Sequence, residues 1–311
     1  MHEDALSFAI GSLQVFHYGL WVAAGALLML LMFHLTARRK GLGNDIALVF
    51  GAVALPLSLI CSRLLFCALD FRFHGVFSLR ALLSFWGGGF SMSGALIGIA
   101  LSALIVGRIQ KTCPLKILDC LTPALMLFIA CARMGEGATE LLGRSRPLVS
   151  TVFNSTFLAS TDGYDYYLNT YMLEALTALV LFGVLVYMSR STKPAGEMTL
   201  LAMLLFGCTQ CLWESLRFDS HMRKSFISMQ QIFFAALFAV PLFFYAWRGG
   251  KKKLLLCAIG LVAIVLGGVV GLEFLIDRSG FNRFVLYAIY ALILTLPAVA
   301  ALKFKKRSIA P

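Results

Sequence analysis

Eight ionisable residues stand inside or at the rim of long apolar stretches: Arg63, Arg133, Glu136, Glu140, Glu174, Glu214, Arg217 and Glu273. A charge at membrane depth costs several kcal/mol unless it is paired or hydrated, so each is a candidate for chemistry. The densest group is Ala132-Arg133-Met134-Gly135-Glu136-Gly137-Ala138-Thr139-Glu140-Leu141-Leu142-Gly143-Arg144, with Arg133, Glu136 and Glu140 beside Gly135, Gly137 and Gly143. Glycines allow a sharp turn or a close approach of backbone to a ligand. A guanidinium suits a phosphodiester, because its planar fork stays charged and binds two oxygens together. The second group, Trp213-Glu214-Ser215-Leu216-Arg217-Phe218-Asp219, precedes Ser228-Met229-Gln230-Gln231 and supplies another arginine. Two arginines on one anionic headgroup would hold it and stabilise a departing phosphate. The third, Trp86-Gly87-Gly88-Gly89-Phe90-Ser91-Met92-Ser93-Gly94-Ala95-Leu96-Ile97-Gly98, places Gly94 and Gly98 at the small-xxx-small spacing of close helix contacts. Tyr18 opens the first apolar stretch and brings a phenol to the same side. The structural alternatives are an outer loop with an internal ion pair for the first group, an interfacial anchor for the second and helix packing for the third. Arg63 ends its span, where snorkelling and a buried pairing both suit it, and Glu174 near a helix start favours the helix dipole.

These residues need a frame made of lipid-soluble helices. The chain of 311 residues is 60% hydrophobic and 14% charged, which leaves too little polar surface to cover a water-soluble globule. Spans are expected near 14–36, 47–69, 88–107, 117–133, 171–189, 198–216, 230–247, 254–276 and 284–302, giving an all-α, polytopic transmembrane helical bundle. The formal charge of +12 follows from Lys and Arg retained on the cytoplasmic side, so no nucleic-acid partner is expected. Alternate connections carry Arg38, Arg39 and Lys40; Arg108, Lys111 and Lys116; Arg190 and Lys193; Arg248, Lys251, Lys252 and Lys253; and Lys303, Lys305, Lys306 and Arg307. Placing that set in the cytoplasm puts the N-terminus outside, the C-terminus inside and the three polar groups at the outer leaflet. The aromatic and arginine content of the outer connections suggests re-entrant or headgroup-level backbone.

Cysteines lie mostly within apolar segments, where the free thiol behaves as a small hydrophobe. Cys208-Thr209-Gln210-Cys211 has metal-ligand or redox spacing without a second pair or a His cluster, so packing is expected and no metal site is assigned. His2, Glu3 and Asp4 stand where a cleavable signal would be basic, so the first helix is expected to be retained.

In order along roughly residues 8 to 247, the chain resembles the prolipoprotein diacylglyceryl transferases. The resemblance rests on Phe8-Ala9-Ile10-Gly11 through Tyr18-Gly19-Leu20, Ala37-Arg38-Arg39-Lys40-Gly41-Leu42, Ser62-Arg63-Leu64, and Gly88-Gly89-Phe90-Ser91 with Gly94-Ala95-Leu96-Ile97-Gly98. It continues through Arg133-Met134-Gly135 to Glu140-Leu141-Leu142-Gly143-Arg144, and Glu214 to Arg217 with Ile227-Ser228-Met229-Gln230-Gln231-Ile232. It implies a cofactor-free enzyme of the bacterial cytoplasmic membrane with a seven-helix core, here residues 1–249. Residues 250–311 would add two helices and a basic tail. Such an enzyme moves the diacylglyceryl group of phosphatidylglycerol to the lipobox cysteine thiol of a prolipoprotein signal peptide, forming a thioether and releasing glycerol phosphate. Arg133 and Arg217 would hold the phosphate, Glu140 and Tyr18 would orient these groups, and Ser93, Gly94, Gly143 and Arg144 complete the candidate substrate-binding set.

The sequence departs from the family pattern at the base. Ser93 stands where the family usually has a histidine, Glu136 where it has an asparagine and Leu173 where it has a tyrosine; the stretch from Arg133 to Glu140 is one residue shorter. Serine does not act as a general base near neutral pH without help. Glu136 is the preferred substitute, ahead of the loop histidines His74 and His221. The alternative function is a non-catalytic phospholipid-binding membrane protein derived from this fold. A transporter is disfavoured by the lack of an inverted repeat or paired helix interruptions.

Overall fold

The computed structural model describes residues 6–10, 13–74, 82–83, 89–139, 143–148, 156–191, 194–218, 223–224 and 227–309. Among them are nine helices long and apolar enough to cross a membrane: α1 His17–Arg39, α2 Ile46–His74, α3 Met92–Ile109, α4 Pro114–Glu136, α5 Thr170–Ser189, α6 Glu197–Leu216, α7 Met229–Arg248, α8 Lys252–Arg278 and α9 Arg283–Ile309. Each corresponds to one expected span. Of the expected site residues, Glu140 lies outside the described residues, as do His221 and the side chain of His74.

Local chemistry sets the helix ends. Pro114 opens α4 at the position where a missing N–H costs nothing. Ser91 caps α3 by accepting from the Gly94 N–H, and Ser228 and Gln231 form a reciprocal capping box at the start of α7. Helix α1 starts at residue 17 rather than 14, because Leu13–Phe16 forms strand β2 against β1, Leu6–Ile10. The described part of the connection from α4 to α5 is strand rather than helix. Its strands β3 Arg144–Pro147, β4 Ala159–Thr161 and β5 Tyr166–Asn169 form an antiparallel sheet with β5 at the centre. Two short strands, β6 Arg223–Lys224 and β7 Ile227–Ser228, pair before α7.

The chain separates into two compact units. One contains residues 22–129 and 182–199, with α2 and α3 packed along each other. A Cβ at Gly94 would stand 2.5 Å from the Cys61 carbonyl oxygen, and one at Gly98 would stand 2.6 Å from the Ser58 Cα. The small-xxx-small pair is therefore a backbone-to-backbone contact that no larger side chain fits. Ser62 Oγ donates to the Ser91 carbonyl at 2.7 Å, and Arg63 donates from Nη1 to the Gly89 carbonyl at 2.8 Å while lying over the Phe66 and Phe90 rings. Arg63 thus takes the buried pairing rather than the snorkelling position. Gly98→Leu is expected to force α2 and α3 apart and to cost about 1–3 kcal/mol or more by overpacking. Thermal unfolding of the purified protein in detergent checks this, and an unchanged midpoint would contradict it.

In the same unit, the buried Asp119 caps the start of α6 from another helix. Its carboxylate accepts from the Gly196 N–H at 2.7 Å, the Thr199 N–H at 2.8 Å and the Thr199 hydroxyl at 2.7 Å. A carboxylate on these unsatisfied N–H groups also meets the positive end of the helix dipole. A cavity of about 520 Å³ is flanked by Arg39, Lys40 and Arg190, which stand just at or beyond the ends of α1 and α5 and complement their dipoles.

The other unit contains residues 1–21, 130–181 and 200–311. Helices α7, α8 and α9 pack pairwise within it. Its α6 has the lowest mean hydropathy of the nine, 1.3, because it carries Gln210 and Glu214 within its apolar length. Gly207 of α6 admits the α7 backbone, since a Cβ there would lie 2.8 Å from the Phe238 nitrogen.

The turn between β4 and β5 is ordered by one exposed carboxylate. Asp162 accepts from the Tyr164 N–H at 2.9 Å, the Asp165 N–H at 2.8 Å and the Tyr167 hydroxyl at 2.8 Å. These donors favour the ionised form, led by the two backbone N–H groups, and hold Asp162 at about 2 against an ordinary 3.8. With the folded value depressed, its contribution to turn order is complete above the ordinary value and lost as the pH falls through about 2. At pH 6 the Tyr164 and Asp165 amides are expected to exchange hydrogen faster in Asp162→Ala than in the parent. The difference should vanish as the pH approaches 2; a difference that persists there would reject the assignment.

Candidate active site

The expected arginines come together with two glutamates in a closed ring. Arg133 and Glu136 sit on adjacent turns at the end of α4, Glu174 lies in the first turns of α5, and Arg217 follows α6 directly. Arg133 places Nε 2.7 Å from Glu174 Oε2 and donates from Nη1 to Glu136 Oε1. Arg217 donates from Nη1 to Glu174 Oε1 and from Nη2 to Glu136 Oε2, each at 2.9 Å. Each carboxylate thus bridges both guanidiniums, and the four side chains are buried. Two positive and two negative charges cancel, which is what permits four ionised groups at this depth.

Backbone from the next connection closes the ring. Gly143 takes a φ of +70°, and a Cβ there would stand 2.5 Å from Glu136 Oε2 and 2.7 Å from the Tyr171 Cβ. Only glycine meets both the conformation and the space. Its carbonyl accepts from the Thr170 hydroxyl at 2.5 Å and the Tyr171 N–H at 2.9 Å, fixing the start of α5 and so Glu174. The Arg217 end is pinned by β3: Ser145 bridges Arg217, and the Phe218 N–H donates to the Arg144 carbonyl at 2.9 Å.

The Arg144 backbone adjoins this end of the ring in β3, and its side-chain Nε is buried without a hydrogen-bond partner among the described residues. Tyr18 and Trp21 of α1 lie against Gly135, where a Cβ would meet the Trp21 Cβ at 2.8 Å and the Tyr18 ring at 3.3 Å. One turn before Glu214 on α6, the buried Gln210 keeps a side-chain oxygen with no partner among the described residues. Glu214 accepts from the Ser228 hydroxyl at 2.9 Å.

Of the expected site residues, Arg133, Arg217 and Gly143 all meet Glu136, Tyr18 lies against Gly135, and Arg144 follows Gly143 in the chain. Ser93 and Gly94 belong to the α2–α3 contact of the other unit, where the Ser93 hydroxyl is buried without a partner among the described residues. Glu174 has a different place from the one its sequence position suggests. It is fully buried and bridges both arginines rather than serving the dipole of α5. Its signal was present as a carboxylate inside an otherwise apolar span.

Residues 5–247 match the family model described as prolipoprotein diacylglyceryl transferase. The chain belongs to that family. Its relatives include proteins named phosphatidylglycerol–prolipoprotein diacylglyceryl transferase from Bacillus velezensis, Listeria innocua and Clostridium kluyveri. The first is 25% identical over 257 residues, covering 80% of this chain and 93% of the relative. The Listeria protein is 28% identical over 232 residues, covering 72% and 82%. The Clostridium protein is 28% identical over 261 residues, covering 80% and 99%. The family match contains the whole Arg–Glu ring and stops before α8 and α9.

Proposed function

We propose that the protein transfers the diacylglyceryl group of phosphatidylglycerol to the lipobox cysteine of prolipoproteins in the bacterial cytoplasmic membrane. The observation that carries this reading is the buried, charge-balanced Arg133–Glu136–Glu174–Arg217 ring in a member of this transferase family. A phosphodiester entering a neutral ring adds one negative charge. Arg144 supplies the compensating cation, and its unsatisfied Nε supplies a donor. The basic connections favour a cytoplasmic placement for the opposite ends of the helices, which puts the ring at the outer leaflet.

In this mechanism the phosphate oxygens take over guanidinium donors that Glu136 holds in the ligand-free ring. Glu136 is thereby released to accept the thiol proton, the role that Ser93 does not fill. The sulfur bonds to the glycerol carbon as the carbon–oxygen bond to phosphate breaks. Both electrons of that bond leave with glycerol phosphate, whose growing charge the arginines stabilise. Tyr18 borders the site from α1 and orients the lipid glycerol.

The test incubates the purified full-length protein with phosphatidylglycerol liposomes and a lipobox peptide, and reads the thioether product by mass spectrometry. A peptide gaining one diacylglyceryl group supports the reading. Lipid bound without product would replace it with the non-catalytic phospholipid-binding alternative, which the full engagement of both Glu136 oxygens favours.

A further inference from the structure

Helices α8 and α9 lie beyond the family match, yet polar groups on them reach inward to the site-bearing elements of their own unit. Glu273, on α8, is buried in a span that otherwise reads as lipid-facing, a location that costs several kcal/mol without partners. Its Oε1 accepts from Gln231 Nε2 of α7 at 2.5 Å and from the Tyr290 hydroxyl of α9 at 3.2 Å. Tyr290 is the largest fully buried side chain among the described residues, and its single hydroxyl proton is shared between Glu273 and the Cys211 carbonyl of α6, the latter at 3.3 Å.

From Gln231 the network runs straight toward the ring. Gln231 Oε1 accepts from the Ser228 N–H at 2.9 Å, and Ser228 Oγ donates to Glu214 Oε1 at 2.9 Å. Glu214 lies three residues before Arg217. A second tether starts four residues after Glu273, where Asp277 accepts from Arg146 Nη2 of β3 at 2.8 Å. The Arg146 guanidinium also covers the Phe218 ring, next to Arg217, at 5.6 Å from its centroid. A third comes from α9, where the Tyr287 hydroxyl donates to the Ser215 carbonyl at 3.4 Å.

We propose that α8 and α9 are a built-in brace that positions Arg217, with Glu273 and Asp277 as its positioning residues. The lipid-facing alternative predicts none of these contacts, since a helix that merely packs on a core needs no buried carboxylate and no ion pair to the site strand. The network converges on residues 211–218 from three directions, and that segment ends in the arginine that closes the ring. A guanidinium without this support keeps its charge but loses its aim, and displacement by about 1 Å is enough to cost 10²-fold in rate.

The kinetic arm of the test rests on the transferase reading; the exchange arm does not. Hydrogen exchange of the full-length protein is compared for the parent, Glu273→Ala and Glu273→Gln. Glu273→Ala is expected to speed exchange about tenfold at 213–218 and to leave α2 and α3 unchanged, because loss of a buried acceptor opens the segment locally. Glu273→Gln keeps an acceptor oxygen and is expected to retain most of the protection. In the transfer assay, Glu273→Ala is expected to lower kcat about 10–100-fold with little change in KM for phosphatidylglycerol, as befits a misaimed group.

Arg146→Asp is expected to act in the same direction, and Arg146→Asp with Asp277→Arg to recover much of the lost protection and rate. This half-buried pair keeps the test decisive if Glu273→Ala does not fold. Unchanged exchange at 213–218 in the Glu273 and Arg146 variants overturns the brace, as does an exchanged pair that recovers nothing. If the parent makes no product, the transferase reading falls and the exchange measurements alone decide the brace.

Discussion

Arg133→Ala is expected to reduce diacylglyceryl transfer about 10³-fold or more, because one substitution removes a proposed phosphate-binding cation and unbalances the ring. Loss of a preorganised group on developing charge costs about 10²–10³ in kcat. Here the loss also leaves Glu136 and Glu174 sharing the single Arg217 guanidinium at a site with almost no exposure. Breaking a buried ion pair from one side costs about 3–5 kcal/mol, so a lower thermal midpoint should accompany the lost activity. The two effects separate in the charge-balanced variant Arg133→Gln with Glu174→Gln. It should regain much of the thermal stability and none of the transfer. If it regains transfer as well, Arg133 serves folding and does not hold the phosphate. Arg217→Ala should repeat the pattern, since it contacts the same two carboxylates.

Gly143→Ala is expected to lower transfer at least about 10²-fold through geometry alone, by shifting the ring carboxylate from its place. The added methyl would overlap both Glu136 Oε2 and the Tyr171 Cβ, and its backbone sits at a φ of +70°. Glutamate is flexible, but this carboxylate is held by both arginines, so it cannot retreat without breaking an ion pair. The backbone cannot move freely either, because the Gly143 carbonyl holds Thr170 and Tyr171 at the start of α5. The useful comparison is Gly163→Ala, also at positive φ but in an open turn with nothing within 4 Å. That variant should keep near-parental transfer. Equal losses in the two would assign the Gly143 effect to backbone strain rather than to the ring.

Legibility differed sharply between the frame and the site. All nine spans could be read because lipid solvation imposes a requirement on each apolar segment separately, whatever it packs against. The Gly94 and Gly98 contact was readable for a related reason, since a four-residue spacing already fixes both glycines on one helix face. Connections obeyed no such local rule. The outer connection expected as re-entrant or headgroup-level backbone contains the β3–β5–β4 sheet, whose pairing joins Arg144 to Asn169 across a long loop. The last two helices showed their hydrophobicity but not their role, because Glu273 and Asp277 find their partners on α7, α9 and β3.

The opening residues show the same division most clearly. By itself the sequence determined that Arg133, Glu136, Glu174 and Arg217 stand in or beside apolar spans, where an isolated charge is untenable and a partner is obligatory. It also carried, in the order of its motifs, the resemblance to the transferase family. Which charge pairs with which was decided only by the tertiary structure. Glu174 is 38 residues from Glu136, and Arg217 is 43 residues from Glu174, so no helical period relates them. Their meeting depends on how three helix ends and the Gly143 turn converge, and on the electrostatic requirement that four buried charges sum to zero.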